Sequence, residues 1–153
     1  MVDFNALADK KLEDVERPPL LPMGHYRFKV EKMPEMDVNP DSEWYIIEFL
    51  CRAQEALDDV DPDSLQEFGA VTNGVLRKTF MCDREDEGAA KQMLYNVKRF
   101  LVDHLQCADD SMSLKEGLAQ SVGAEFTGQV VHKQDKNDKE LFHANLTRTA
   151  PVE

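Results

Sequence analysis

The feature that most constrains this fold is a strict alternation of polar and apolar side chains over residues 25–30. Its apolar members share one side of an extended chain: Tyr26, Phe28 and Val30. Because successive side chains of a strand point to opposite faces, the pattern predicts a strand with one buried face. Arg27 and Lys29 are expected on the exposed face.

A second β-prone run, over residues 44–51, predicts a strand near the centre of a sheet, since both of its faces carry apolar residues. Trp44 and Arg52 fall on one face, opposite Tyr45 and Phe49. Trp44 is expected outside the core, because it stands at the strand start and faces away from the more apolar side. Core packing is predicted for the other strand aromatics: Tyr26, Phe28, Tyr45, Phe49, Phe80 and Phe126.

A third strand is predicted over residues 75–82, which follow a turn signal of Asn and Gly. Arg77 and Lys78 fall on opposite faces of this strand. The preceding residues 53–72 form an acidic insertion, and we expect a loop there with a short helix after Asp63.

The clearest helix is predicted over residues 86–105, where acidic residues occupy the first turn and apolar residues recur at helical spacing. The apolar stripe consists of Ala90, Met93, Leu94, Val97, Phe100, Leu101 and Leu105. A shorter helix over residues 113–122 is indicated by the capping box of Ser113 and Glu116. Residues 1–20 predict an N-terminal arm or a short helix.

Two final strands, over residues 124–134 and 140–149, flank a polar turn. A two-residue turn at residues 137–138 would place His132 beside His143. Two neighbouring histidines are candidate metal ligands, although solvated or hydrogen-bonded histidines are far commoner on a sheet surface. We therefore predict no metal site.

The charge of the chain is unevenly distributed. There are 18 basic and 30 acidic residues, a net charge of −12, and residues 31–67 hold 12 acidic residues against two basic ones. This excess disfavours wrapping of a long duplex and binding to an anionic membrane, but it leaves room for a local basic groove. No run is apolar enough for a membrane span or a signal peptide, and three cysteines without a C-x-x-C spacing suit a reducing compartment. We expect a cytoplasmic protein.

Motifs of catalysis are absent from the sequence. It has no G-x-S-x-G elbow, no phosphate-binding glycine loop and no H-E-x-x-H zinc motif. The aspartates of residues 58–63 lack the glycine and glutamate positions of a calcium loop. We predict a protein that is not an enzyme and that has no catalytic residue and no cofactor.

Five strands with a long helix between the third and fourth predict an α+β, mainly β fold. This order is that of the OB-fold, a five-stranded, partly open barrel, and we assign residues 1–153 to one such domain. The chain resembles small tailed-phage proteins of replication and recombination modules, often described as of unknown function and regarded as single-stranded DNA-binding proteins. The likeness extends over residues 1–148 and lies in the segments LPMGHYRFKV, KRFLVDHLQ and LKEGLAQSVGAEFTGQVV and in the closing hairpin. The acidic insertion and the absence of an acidic C-terminal tail depart from such proteins.

The resemblance implies binding of single-stranded DNA in the host cytoplasm, with phage or host replication and recombination proteins as further partners. Such binding uses aromatic faces for the bases and lysine or arginine side chains for the phosphates. The residues of this chain that suit these roles are Arg27, Lys29, Trp44, Arg52, Arg77, Lys78, Lys133, Lys136, Lys139 and Arg148. The alternative for the hairpin lysines is that they are merely solvated. The sequence leaves two points open: whether the bound strand is DNA or RNA, and whether the protein forms a homo-oligomer.

The acidic surface of residues 31–67 suggests a different class of function, a protein that docks a partner or imitates DNA. The docking residues would be Asp58, Asp59, Asp61 and Asp63. A third reading is a virion or assembly accessory protein that oligomerises through its sheet edge. A solvated acidic loop that only maintains solubility is the simplest alternative.

Overall fold

A curled antiparallel sheet organises this mixed α and β protein, whose computed structural model describes residues 3–36 and 41–152. The described residues form six strands: β1 (Gly24–Val30), β2 (Glu35–Met36), β3 (Trp44–Ala56), β4 (Val75–Asp83), β5 (Glu125–Gln134) and β6 (Phe142–Ala150). Four α-helices occur in the same residues: α1 (Phe4–Ala8), α2 (Pro62–Phe68), α3 (Glu87–Arg99) and α4 (Leu114–Gln120). None of the helices within these residues is long and apolar enough to cross a lipid bilayer.

The sheet is built around β3, the longest strand. One edge of β3 pairs with β4, and the other edge pairs with β1 and with the short β2. β1 pairs on its far side with β5, and β5 pairs with β6. The edge strands β4 and β6 also contact each other, so the sheet curls into a half-barrel with an inner and an outer face.

The inner face of the sheet packs into one aromatic core. Phe100 lies at its centre, with its ring centroid 5.0 Å from that of Phe49 and 5.2 Å from that of Phe126. Phe28 stacks on Phe126 at 5.6 Å, and each such pair contributes about 0.5–1.5 kcal/mol beyond simple burial. The core positions predicted for Tyr26, Phe28, Phe49 and Phe126 are confirmed, and the three cysteines are free thiols.

The helix predicted over residues 86–105 is confirmed, with a change of geometry in its last turn. Asp86 caps α3 by accepting a hydrogen bond from the backbone N–H of Ala89 at 3.0 Å. After Arg99 the chain continues as a π-helical turn, Phe100–His104. Phe100 lies in the core at the start of this wider turn, and Val97 and Met93 are buried one and two turns earlier.

The predicted register of the closing hairpin is wrong by one residue. His132 lies opposite Ala144, and Lys133 lies opposite His143. The reason is the connection, which is a longer loop in which Asp135 accepts hydrogen bonds from two backbone N–H groups and its own N–H bonds to the Leu141 carbonyl at 2.7 Å. A one-residue slip places neighbouring side chains on opposite faces, so His132 and His143 do not lie side by side.

The acidic insertion is more structured than a loop. β3 continues to Ala56, well beyond the predicted end of the strand. The short helix expected after Asp63 is present as α2, which Asp61 caps by accepting a hydrogen bond from the Ser64 N–H at 3.2 Å. At the N-terminus, α1 is the predicted short helix and buries none of its residues.

Candidate nucleic-acid interface

The outer face of the sheet carries four of the nine cations that the sequence predicts for DNA binding. Strand periodicity points Arg27 and Lys29 of β1, Arg52 of β3 and Arg77 of β4 away from the core. The register places Lys29 directly opposite Arg52, while Arg77 lies opposite Leu50, one outer-face position along β3. These four cations, together with Trp44, are called the outer-face group below.

The guanidinium of Arg52 is held by a carboxylate from the end of β1. Its Nε and Nη2 donate hydrogen bonds to the two Glu31 oxygens at 2.7 and 3.0 Å, and its Nη1 donates to the Thr72 carbonyl at 2.7 Å. The hydrogen bond from Arg52 lowers the pKa of Glu31, and the same bond raises the pKa of Arg52. The positive charge of Arg52 is therefore neutralised within the protein.

The other two arginines of this group are paired in the same way. Arg77 Nη1 lies 3.1 Å from a Glu48 oxygen, and Arg27 lies 3.1 Å from Glu125 and 3.8 Å from Glu55. A polyanion that binds here has to compete with these carboxylates. Lys29 differs, because it is exposed and forms no ion pair with any residue that the structure describes.

Trp44 provides an exposed aromatic surface at one end of β3. Its side chain is 44% exposed, as predicted, and Met81 on the neighbouring strand is 52% exposed. Met81 lies opposite Ile46, one outer-face position from Trp44, so the two side chains belong to the same end of the outer face. This end offers an apolar surface of the kind on which an unpaired base stacks.

The core position predicted for Tyr45 is wrong. Tyr45 is 40% exposed, because the core does not extend to this end of β3, and the Arg84 guanidinium lies 4.9 Å from the centroid of its ring. Tyr45 points to the inner side of the sheet, away from Trp44. The alternation of side chains along β3 could have assigned Tyr45 to the inner side of the sheet. It could not have shown where along the strand the core ends.

Lys78 lies on the inner side of the sheet and is separate from the outer-face group. Its register partner is Phe49, and its ammonium lies 5.2 Å from the Phe80 ring centroid and 5.6 Å from that of Phe100. Burial lowers the pKa of Lys78, because removal of the ammonium from water disfavours its charged form. The opposite faces predicted for Arg77 and Lys78 are confirmed.

The hairpin cations form further, separate groups. Lys133, Lys136 and Lys139 are exposed at the end of the sheet where β1 begins, whereas Trp44 lies at the far end of β3. Arg148 is exposed near the other end of β6, at a register break and with a positive φ of 45°. The structure thus divides the predicted phosphate track into distinct patches.

Two of the four predicted docking aspartates have roles within the fold. Asp59 accepts hydrogen bonds from the backbone N–H of His25 at 2.8 Å and from its ring Nδ1 at 2.6 Å, and these bonds lower the pKa of Asp59. Asp61 caps α2, and its hydrogen bonds with Ser64 lower its pKa. Asp58 and Asp63 are exposed and have no side-chain partner among the described residues.

The histidines have ordinary hydrogen-bond partners. His132 Nε2 lies 2.8 Å from the Leu21 carbonyl, and His143 Nε2 lies 2.9 Å from an Asp135 oxygen. Within residues 3–36 and 41–152, no three histidine, cysteine or acidic side chains are grouped closely enough to hold a metal ion. Neither a scan against protein-family models nor a search of curated proteins finds a match to this chain.

Proposed function

We propose that this protein binds single-stranded DNA on the outer face of β3 and β4, without catalysing a reaction. The observation that carries the proposal is the strand order. With the short β2 set aside, the sheet runs β4, β3, β1, β5, β6, and its two edge strands contact each other. This order supports an OB-like barrel with α3 between its third and fourth strands, and such barrels bind oligonucleotides on the face of the second and third strands, here β3 and β4.

The side chains of this face supply both kinds of contact that a single strand needs. Trp44 and Met81 offer apolar surface to the bases, and stacking on an aromatic side chain is worth about 1–3 kcal/mol per base. Lys29, Arg52 and Arg77 offer positive charge to the phosphates along the same face.

The ion pairs of the outer face shape the expected affinity. Each arginine that contacts a phosphate has to exchange a carboxylate for it, so binding is modest. It also weakens steeply with salt: for each phosphate neutralised, log K falls by about 0.7 per tenfold rise in salt concentration. A duplex binds more weakly, because its bases are already stacked and cannot pack on Trp44.

Trp44 gives a direct measurement, since it is the one tryptophan of the chain. Titration with oligo-dT is expected to quench its fluorescence, and a duplex of equal length is expected to quench it less. A labelled oligo-dT then compares Trp44→Ala with the control Tyr95→Ala, which changes an exposed ring on α3. We expect weaker binding for the first variant only. Equal affinity for duplex and single strand, or equal binding by both variants, would refute the proposal.

The phosphate contacts are tested by Lys29→Ala, because this lysine has no internal ion pair to lose. Lys91→Ala on α3 is the matched control, since it removes the same charge from an exposed position elsewhere. We expect the first variant to bind oligo-dT more weakly and with a smaller salt slope. The control is expected to retain the slope of the unmodified protein.

A second candidate function is docking of a basic protein partner through the acidic insertion. Asp58 and Asp63 support it, because both carboxylates are exposed and free of side-chain partners in the described part of the chain. Failure of the protein to bind either single-stranded or duplex DNA at low salt would favour this function over the first.

A further inference from the structure

A cavity lies at the seam where the edge strands β4 and β6 meet. It has a volume of about 220 Å³ and is bounded by both strands, by the last turns of α3 and by the π-helical turn. Phe80 and Phe100 contribute aromatic carbon to its lining. The remaining lining side chains are Lys78, Asn96, Arg99, His104 and Thr149. We call this cavity the seam pocket.

The charged side chains that line the seam pocket are cations. Lys78 enters from β4 and Arg99 from the end of α3, and no carboxylate of the described residues is among the lining side chains. Among the described residues, the ion-pair partner of Arg99 is Asp103 of the π-helical turn, at 4.0 Å. Lys78 has no ion pair with any described residue, although burial lowers its pKa. An anion in the pocket would supply the missing countercharge.

The polar neutral groups of the seam pocket are suited to donate hydrogen bonds. His104 Nδ1 lies 2.7 Å from the Thr149 hydroxyl oxygen, and burial lowers the pKa of His104, with further lowering by Arg99 and Lys78. In one neutral tautomer the hydroxyl proton of Thr149 is free, and in the other the Nε2–H of His104 is free. Either arrangement leaves one donor available to an oxyanion.

The position of these cations is not explained by the helix alone. Carbonyl groups at the end of a helix favour nearby positive charge, and this accounts for Arg99 in the last turn of α3. It does not account for Lys78, which comes from a strand and carries its charge over two aromatic rings. The two rings attract the ammonium, but no carboxylate of the described residues balances its charge, so the pocket is suited to an anionic ligand.

We propose that the seam pocket binds a phosphate group. Its volume is below the roughly 300–1,000 Å³ of pockets for drug-sized molecules, which suits a single small anion. Lys78 and Arg99 neutralise its charge, and the His104–Thr149 pair donates a hydrogen bond. The inference rests on the proposed function only where a DNA strand supplies the phosphate. A free phosphate ion has the same chemistry and tests the pocket independently.

The first experiment titrates the protein with inorganic phosphate and follows the His104 ring signals by NMR. We expect saturable shifts in the unmodified protein and at least about tenfold weaker binding in Lys78→Met, which removes the charge but keeps a chain that packs on the rings. Lys98→Met is the control, because Lys98 is exposed on α3 and pairs with Asp110 at 3.2 Å. Thr149→Val, which removes the hydroxyl with little change of size, gives an independent test. Phosphate binding that is absent, or equal in all four proteins, overturns the proposal.

The second experiment finds the source of the phosphate with two oligo-dT probes, one with a 5′-phosphate and one with a 5′-hydroxyl. Tighter binding of the phosphorylated probe, lost in Lys78→Met, assigns a strand end to the pocket. Equal weakening of both probes in Lys78→Met assigns a backbone phosphate. Binding of inorganic phosphate without any binding of oligonucleotides supports the pocket and refutes the proposed function. Oligonucleotide binding that no pocket variant changes, together with no binding of inorganic phosphate, overturns the pocket proposal and supports the proposed function.

Discussion

Arg52 and Glu31 form a two-point ion pair on the outer face of the sheet, with hydrogen bonds of 2.7 and 3.0 Å. Glu31 comes directly after β1, and its backbone N–H donates to the Leu50 carbonyl of β3, which fixes the carboxylate beside the arginine. The pair thus places a negative charge within the surface proposed for DNA. A bound phosphate has to displace this carboxylate or share the guanidinium with it.

Glu31→Gln is expected to tighten binding of oligo-dT at low salt, because it frees the charge of Arg52 while keeping the size of the side chain. The gain should shrink as salt rises and the Debye length shortens. Anisotropy titrations over a salt series measure both effects. Glu140→Gln in the closing hairpin changes the net charge by the same amount at the end of the sheet where β1 begins, whereas Glu31 follows the end of β1. An equal gain in both variants would therefore contradict a local role for Glu31.

Asp59→Asn is expected to reduce the loss of stability at acid pH. Its two hydrogen bonds from His25 lower the pKa of Asp59 in the folded protein. The ionised carboxylate therefore stabilises the fold above its unfolded pKa, about 3.9, and this contribution is lost as pH falls through the lower folded value. Urea unfolding midpoints between about pH 7 and pH 2 measure the effect. The exposed Asp58→Asn is the control, and identical pH profiles for the two variants would contradict the assignment.

Asp58 and Asp63 are the residues to change in testing the acidic insertion, because Asp59 and Asp61 hold the local fold. The double variant Asp58→Asn, Asp63→Asn is expected to unfold at the same temperature as the unmodified protein. If the insertion competes with DNA, the variant binds oligo-dT more tightly at low salt, and the difference closes as salt rises. Superimposable binding curves across the salt series would contradict this competition and leave partner docking or solubility as the role of the insertion.

Phe100→Ala is expected to cost about 3–5 kcal/mol of unfolding free energy, because it removes the ring at the centre of the core. That loss threatens a domain whose total stability is about 5–15 kcal/mol. Tyr95→Ala is the control, since Tyr95 lies on the exposed side of α3 and is 54% exposed. Chemical unfolding followed by circular dichroism compares the two, and a Phe100 variant as stable as the control would show that this ring is not a core element.

Strand alternation was sufficient to predict the faces of the central strands. It separated Trp44 and Arg52 from Phe49, and the structure confirms that division. It could not predict the charge balance of the outer face, because the partners are far apart in sequence. Glu31 and Arg52 are 21 positions apart, and only the pairing of β1 with β3 brings them together.

The register of the closing hairpin was beyond sequence prediction for a local reason. The polar residues between the strands are compatible with a two-residue turn, but hydrogen bonds to the Asp135 carboxylate stabilise a longer loop. The seam pocket was also missed, because it depends on the approach of β4 to β6 and on the π-helical turn that begins at Phe100. Neither feature leaves a periodic signal in the chain.

The pairing of β1 with β5 determines when this protein can fold during its synthesis. Gly24 lies opposite Val130, so the far side of β1 is completed by residues that leave the ribosome long after β1 itself. Until then Tyr26 and Phe28 lack the strand and the Phe126 ring that cover them. Pairing between segments so far apart in sequence is slow, and the apolar surface that stays exposed until they pair is prone to aggregation. Nascent chains that stop before residue 125 should therefore stay unfolded and depend on chaperones, whatever the stability of the finished sheet.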